Sequence, residues 1–127
     1  MSTLPTQLHS IAFLVSAEAI SAYAQLTQDF NPIHLDPDFA ARTPMGGVIA
    51  HGTMSISLIW RSLAESLPEA LVARIRLDLR FVKPVRVNER LIAGGQQHPL
   101  NAACYEVWVK GEEDGVARLA GTATLGN

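Results

Sequence analysis

The spacing of apolar residues in the first part of the chain is that of a strand followed by a helix. Residues 8–15 are mostly apolar and predict a first strand. Ser16 is suited to cap a helix with Glu18 in its first turn, and this helix is predicted to run to about Gln28. Its apolar positions recur at helical spacing and predict one buried face: Ala19, Ile20, Tyr23 and Leu26.

A break separates this helix from a longer one. Asn31-Pro32 ends the first helix, because proline disfavours a helical conformation in the residue before it. The stretch Val48 to Trp60 is apolar on most faces and predicts a helix that begins near Val48 or His51 and continues to Ser66. The pattern becomes amphipathic only near Arg61, Glu65 and Glu69. Leu67-Pro68 stops it. A helix that is apolar all round is usually buried, so we expect this helix in the core.

The second half of the chain alternates between apolar and polar residues, as strands do. Residues 74–81 alternate strictly and place one set of side chains on a buried face: Ile75, Leu77, Leu79 and Phe81. Further strands are predicted at 89–97, 102–110 and 115–124, with a hairpin turn at 111–115 and a bulge or bend at Gly94-Gly95. Antiparallel strands must bury one face, and the long helix is the partner available. The pattern therefore predicts an α+β fold, with an antiparallel sheet wrapped around a central buried helix.

Composition narrows the classes of protein. The chain has 127 residues, enough for one domain spanning 1–127, and 48% of them are hydrophobic. Ten basic residues against 12 acidic ones give a net charge of -2, so neither nucleic acid nor a membrane is an expected partner. The single cysteine, Cys104, is expected in the core. The N-terminus lacks a signal-peptide pattern, and a cytoplasmic protein is expected.

Candidate chemistry is concentrated between residues 29 and 37. Asp29 and His34 lie five residues apart across the break between two helical segments. Loops at such breaks can direct several side chains at one point. Free carboxyl and imidazole groups have reference pKa values of about 3.9 and about 6.5, so such a pair can hold a water, remove its proton and return a proton elsewhere.

A second feature stands at the start of the long helix. His51-Gly52-Thr53 precedes the apolar run, and the unpaired N–H groups of a helix N-terminus stabilise developing negative charge. Gly52 has no side chain and lets a ligand approach the backbone. This arrangement would suit the oxygen of a thioester as it becomes enolate-like.

These residues resemble a known motif. Asp29-Phe30-Asn31-Pro32-Ile33-His34-Leu35-Asp36-Pro37, followed by Phe39-Ala40-Ala41 and Ile49-Ala50-His51-Gly52, closely resembles the hydratase 2 motif of MaoC-like dehydratases. Phe81-Val82-Lys83-Pro84-Val85 is similar to the family's next strand signature. The resemblance covers essentially the whole chain, and it is closest to short R-specific enoyl-CoA hydratases.

The resemblance implies a hot-dog fold, a homodimer, and reversible syn hydration of a trans-2-enoyl-CoA to an (R)-3-hydroxyacyl-CoA. By the motif, Asp29 and His34 are the catalytic pair, the Gly52 N–H binds the thioester carbonyl, and Asn31 supports the loop. No cofactor is expected beyond the CoA carried on the substrate. Departures from the family pattern are Gln28 before the aspartate, Asn88-Glu89 in place of a common Gly-Asp, and Trp60 on the central helix.

Further residues are candidates for substrate contact. His51 is expected to be structural or hydrogen-bonded within the site. Lys83 and Arg86 are candidates for contact with CoA, and Trp60 for the end of the acyl channel, although a tryptophan on an apolar helix is more often core. His34, Asp36 and Asp38 have the composition of metal ligands, but a capping role explains Asp36 more simply, and no metal is expected.

Three other functions remain open at this point. A branched, dicarboxylic or carrier-bound enoyl thioester could be the substrate, and a dicarboxylate would need a cation such as Arg42 or Arg61. A non-catalytic acyl-thioester-binding or scaffold domain would not need both Asp29 and His34. A hot-dog thioesterase would not explain the Asn-Pro-x-His segment.

Overall fold

The computed structural model describes residues 4–126. Residues 1–3 and 127, the ends of the expected 1–127 domain, lie outside the described part. The chain forms five helices and five strands in the described range: β1 (Ile11–Leu14), α1 (Ala17–Thr27), α2 (Pro32–Leu35), α3 (Pro37–Ala41), α4 (Gly52–Ser66), α5 (Glu69–Val72), β2 (Ile75–Phe81), β3 (Arg90–His98), β4 (Asn101–Gly111) and β5 (Ala117–Leu125).

The five strands form one antiparallel sheet in the order β1-β3-β4-β5-β2. The central strand β4 is paired with β3 on one side and β5 on the other, while β1 and β2 are the edges. Helix α4 contributes Leu58, Ile59 and Leu63 to the core, opposite residues of β4 such as Tyr105 and Val107. One five-stranded antiparallel sheet with a long helix packed against it is the arrangement of a hot-dog fold, the fold expected from the sequence.

Local signals set the helix boundaries as predicted. The Ser16 hydroxyl accepts a hydrogen bond from the Ala19 N–H at 3.0 Å, and α1 begins at Ala17. The Leu67 N–H donates to the Leu63 carbonyl at 2.9 Å and ends α4 immediately before Pro68. Cys104 is buried in β4, also as predicted.

The prediction that α4 is buried on most faces as far as Trp60 was wrong, because Thr53 and Ser57 are exposed. Arg61 and Glu65, where the sequence predicted an amphipathic helix, are exposed as expected, so only one face of α4 meets the sheet. Leu26, predicted on the buried face of α1, is 80% exposed, because that face is centred on Ile20 and Ala24. Thr53 and Ser57 are small and polar and tolerate contact with water, which a count of the apolar residues in the helix does not reveal.

The sheet corrects two further predictions. Phe81 was placed on the buried face of β2, but it is 62% exposed, because β2 is an edge strand and Phe81 is its last residue. Of the bulge or bend predicted at Gly94-Gly95, the bulge is wrong, because the pairing with Trp108 and Val107 is regular, while the bend stays a prediction. A Cβ on Gly95 would lie 2.6 Å from the Glu106 carbonyl oxygen, so the glycine allows two backbones to approach closely.

Within residues 4–126, no helix combines the length and the apolar character that a membrane span needs.

Candidate active site

The position of Asp29 follows from the way α1 ends. Gln28 adopts a left-handed conformation (φ 59°, ψ 31°), which turns the chain out of the helix. The Asp29 N–H donates to the Ala24 carbonyl at 3.1 Å, and the Asp29 carboxylate accepts from the Asn31 N–H at 3.2 Å. The carboxylate is therefore held at the break between helices, with half of its side-chain surface exposed.

The position of His34 follows from a short capped helix. The Asn31 side-chain oxygen accepts from the Ile33 N–H at 3.0 Å, and Pro32 occupies the first position of α2. This single turn presents His34 towards Asp29. Asn31 thus acts on the loop through its cap, while its own side chain is exposed.

Hydrogen bonding determines which nitrogen of His34 faces the aspartate. His34 Nδ1 lies 2.7 Å from the Ile49 carbonyl oxygen, and because a carbonyl can only accept, Nδ1 carries the proton. The other nitrogen, Nε2, lies 4.0 Å from Asp29 Oδ2. In the neutral ring this leaves two acceptors facing each other across a gap too wide for a direct hydrogen bond. A water molecule placed between them could donate one proton to each.

His51 lies behind this pair and is only 3% exposed. Its Nε2 lies 3.0 Å from the main-chain oxygen of Asp29. Its ring stacks on that of His34, with centroids 3.9 Å apart and planes inclined by 27°. Tyr23 meets the His51 ring edge-on at 5.1 Å, and the Tyr23 hydroxyl donates to the Thr53 hydroxyl at 2.7 Å. Among the described residues, His51 Nδ1 has no hydrogen-bond partner.

Gly52 is the first residue of α4 and is exposed. The first N–H groups of a helix have no intrahelical acceptor, so this end of α4 is a donor site for a negatively charged oxygen. A Cβ added to Gly52 would lie 3.0 Å and 3.1 Å from the Cε1 and Cζ atoms of Phe81. The Phe81 ring thus covers the glycine from one side.

A cavity of about 300 Å³ opens beside this helix end. His34, His51 and Gly52 line it, so the His34 imidazole and the helix terminus face the same space. The opposite wall is the segment 81–85, which follows from the end of β2 and contributes Phe81, Val82, Lys83, Pro84 and Val85.

Arg118 is a functional candidate that the sequence interpretation missed. It is 5% exposed, and it lines both the cavity beside Gly52 and a neighbouring groove of about 810 Å³. Its guanidinium binds the Glu89 and Asp114 carboxylates, and one nitrogen also donates to the Val116 carbonyl. These bonds occupy its donors and leave none for a ligand. Hydrogen bonding from Arg118, followed by a bond from the Val116 N–H, lowers the pKa of the Asp114 carboxyl.

The backbone of Arg118 supports the cavity wall. Its carbonyl accepts from the N–H groups of Val82 and Lys83 at 2.9 Å and 3.3 Å. Strand alternation indicates which face Arg118 is on but not that it is buried, since its partner Glu89 lies far away in the sequence. Glu89 is one of the departures from the family pattern, and this departure was the one sequence signal that could have drawn attention to Arg118.

The remaining predicted site residues fall into two groups. Asp29, His34, His51 and Gly52 lie together, with Asn31 at the base of the loop and Lys83 on the cavity wall. Trp60 is half-buried against the core and Arg86 is exposed, and neither lines the cavity. Of the cations considered for a dicarboxylate, Arg61 is paired with Glu65 at 2.9 Å and Arg42 is exposed.

Two groups of acidic and histidine side chains have the composition of a metal site, one around Asp36 and one formed by Asp29, His34 and His51. Asp36 caps α3 by accepting from the Asp38 and Phe39 N–H groups at 3.1 Å each, the capping role expected for it. Asp29, His34 and His51 each offer a ligand atom within 4.8 Å of the others. The two imidazole rings are stacked, so their in-plane lone pairs run side by side instead of converging on one tetrahedral ion. The arrangement fits a bound water better than a metal.

Comparison with known proteins agrees with this geometry. The family model described as "MaoC like domain" matches residues 5–118. The chain belongs to the MaoC-like dehydratase family. The matched range includes both the Asp29–His34 segment and the wall of the cavity.

Two curated relatives in this family are named for reactions of CoA thioesters. The chain is 41% identical over 75 residues to the 3-hydroxybutyryl-CoA dehydratase of Methylorubrum extorquens, covering 59% of this chain and 48% of that protein. It is 39% identical over 77 residues to the (R)-specific enoyl-CoA hydratase of Aeromonas caviae, covering 61% and 58%. The alignments thus span about half the length of these relatives.

Solved structures extend the likeness to nearly the whole fold. The (R)-hydratase of A. caviae, described as involved in PHA biosynthesis, aligns with a TM-score of 0.77 at 26% identity, over 97% of this chain and 94% of that one. An unliganded R-hydratase from Pseudomonas aeruginosa also gives 0.77, at 23% identity, over 97% and 79%. This second likeness concerns the fold alone.

Proposed function

We propose that this protein catalyses the reversible syn hydration of a trans-2-enoyl-CoA to an (R)-3-hydroxyacyl-CoA. The observation that carries the proposal is the pair of acceptors, His34 Nε2 and Asp29 Oδ2, 4.0 Å apart beside an open helix N-terminus. The names of the M. extorquens and A. caviae relatives support the choice of substrate and stereochemistry.

The proposed reaction begins with a water held between Asp29 and His34. The water oxygen attacks C3 of the substrate, while one of its protons passes to the pair. The electrons of the double bond move towards the thioester. Its oxygen accepts a hydrogen bond from the Gly52 N–H as it gains negative charge. The pair then returns a proton to C2. The product carries OH on C3 and H on C2, and the pair is back in its starting state.

The syn outcome follows from the position of the two groups. Because Asp29 and His34 lie together at one point, the hydroxyl and the proton both arrive at the same face of the double bond. Addition to opposite faces would need a second proton donor across the cavity, where the segment 81–85 is apolar apart from Lys83 and the donors of Arg118 are already bonded to Glu89, Asp114 and Val116. No cofactor takes part in these steps beyond the CoA of the substrate.

A homodimer is part of the proposal. Strand β2 is paired with β5 on one side only, and its end exposes Phe81 and Val82 next to the cavity. Pairing such an edge with a second copy would cover both the backbone and these side chains. Light scattering during size-exclusion chromatography should give the mass of a dimer. A stable monomer with full activity contradicts this part.

A carboxylate-bearing enoyl-CoA is the second candidate substrate. Lys83 lines the cavity, and no ion-pair partner lies within 4.0 Å of it among residues 4–126. Such a cation could receive a carboxylate at the far end of a short acyl group. The same charge could instead meet a phosphate of CoA.

The test is a spectrophotometric screen of trans-2-enoyl-CoAs that differ in length, branching and terminal charge, with chiral analysis of the product. Consumption of the conjugated double bond with formation of the (R)-alcohol supports the proposal. Release of free thiol instead of hydration would indicate a thioesterase. Preference for a dicarboxylic substrate that disappears in Lys83→Met would favour the second candidate.

A further inference from the structure

We infer that His51 is a positioning residue that holds Asp29 and His34 as one unit, by donating from Nε2 to the Asp29 main-chain carbonyl and stacking on the His34 ring. The inference rests on the proposed function and adds a residue to it. His51 borders the cavity but is only 3% exposed, and its two contacts are with Asp29 and His34, so we assign it an action through these residues.

The first contact fixes the backbone of the aspartate. Asp29 lies outside any helix, and its side chain is half exposed, so the fold around it does not immobilise it by packing. The bond of 3.0 Å from the buried His51 ring anchors its carbonyl to the start of α4. Because the carbonyl accepts only, His51 must carry its proton on Nε2.

The second contact fixes the plane of the catalytic imidazole. His34 is held at Nδ1 by the Ile49 carbonyl, and one face of its ring lies against His51 at 3.9 Å between centroids. The His51 ring also makes an edge-to-face contact with Tyr23, whose hydroxyl is bonded to Thr53 in the first turn of α4. The two catalytic side chains therefore share one rigid support.

The unpaired Nδ1 of His51 argues against a filler role, in which the side chain would only occupy space in the core. His51 is 3% exposed, and its Nδ1 has no hydrogen-bond partner in the described part of the chain. A buried polar atom without a partner lowers stability, and an apolar side chain at this position would avoid that cost. The contacts made by the rest of the ring supply a reason for this residue.

Two substitutions separate the Nε2 donor from the volume of the side chain. The amide nitrogen of His51→Gln can reach the place of Nε2, whereas that of His51→Asn is too short and reaches only the place of Nδ1. We expect His51→Asn to lower kcat by about 10²-fold with little change in KM, the cost of misplacing reacting groups. His51→Gln should keep most of the activity. His9→Asn, at an exposed histidine away from the site, is the control.

Thermal unfolding of each variant accompanies the kinetics. A filler role would lower the melting temperature in both variants and leave kcat per folded molecule unchanged, which overturns the inference. Equal losses of kcat in the glutamine and asparagine variants also overturn it, because the Nε2 donor would then be irrelevant. In both cases wild-type hydratase activity is measured separately, so the proposed function can stand while the inference fails.

A measurement on the wild-type chain covers the case in which a variant does not fold. Long-range proton–nitrogen NMR correlations report which ring nitrogen of each histidine carries the proton. The inference requires the proton of neutral His51 on Nε2, and Nδ1 for His34. A proton found on Nδ1 alone in His51 excludes the bond to Asp29 and overturns the inference, whether or not the protein hydrates any thioester.

Discussion

The Phe81 ring lies directly over Gly52, with two ring carbons 3.0 Å and 3.1 Å from the place where a Cβ would be. The packing of Phe81 is one reason for a glycine at this position, and the proposed function adds a second, the approach of a thioester oxygen to the helix end. Mutations can separate them.

We expect Gly52→Ala to lower kcat/KM by about 10²-fold, the usual cost of impairing an oxyanion donor. Phe81→Ala removes the ring that the new methyl group would strike, so the double variant relieves the packing conflict only. If the substrate itself needs the space, the double variant stays impaired in steady-state hydration assays. Recovery to the level of Phe81→Ala alone would assign the glycine to packing.

The catalytic pair gives the second prediction. Asp29→Asn keeps the shape of the side chain without its charge, and His34→Ala removes the ring that faces it. Each should reduce kcat by about 10²- to 10⁴-fold, the range for general acid–base groups. Because both residues act on one water, the losses in the double variant should not multiply. Asp38→Asn, an exposed acid on the neighbouring helix, serves as the control. Activity above a tenth of wild type in either single variant removes that residue from the mechanism.

The buried Arg118 predicts a pH dependence of stability. Hydrogen bonds from Arg118 lower the pKa of Asp114 in the folded state, so ionised Asp114 stabilises the fold at pH values above the unfolded pKa, about 3.9. This contribution is lost as pH falls through the lower folded value. Asp114→Asn should therefore be less stable than wild type at neutral pH, and the difference should shrink towards zero in acid. Urea titrations at several pH values measure it, and a constant difference contradicts the assignment.

Trp60 gives the fourth prediction. It packs half-buried against the core and does not line the cavity, so Trp60→Ala should lose about 3 kcal/mol of stability, the lower end for such truncations. The preference among acyl lengths should stay as in wild type. A rise in kcat/KM for medium-chain enoyl-CoAs relative to crotonyl-CoA would instead extend the acyl channel to this residue.

Sequence reasoning succeeded where the cause is local. The caps at Ser16 and Asp36 and the stop at Leu67-Pro68 depend on residues within a few positions, and all three boundaries were predicted. The pairing of Asp29 with His34 was also accessible, because one turn of helix capped by Asn31 separates them.

Tertiary packing decided the features that were missed. Phe81 alternates correctly with its strand neighbours, but its exposure depends on where β2 ends at the sheet edge. The buried state of Arg118 requires Glu89 and Asp114 to meet it from two other segments. The bond from His51 to Asp29 joins positions 22 apart and involves a main-chain carbonyl, which carries no sequence signal.

The residues of the proposed chemistry and one wall of the cavity come from separate stretches of chain. Asp29, His34, His51 and Gly52 belong to the helical half, whereas this wall is the segment 81–85, in which the Val82 and Lys83 N–H groups donate to the Arg118 carbonyl. Substitutions in the wall can therefore reshape the acyl site while leaving the water-holding pair undisturbed. Substrate range and chemistry are free to diverge independently in descendants of this chain. A combinatorial library confined to Val82 and Pro84, which leaves Phe81 over Gly52 unchanged, should yield altered acyl preferences with turnover preserved.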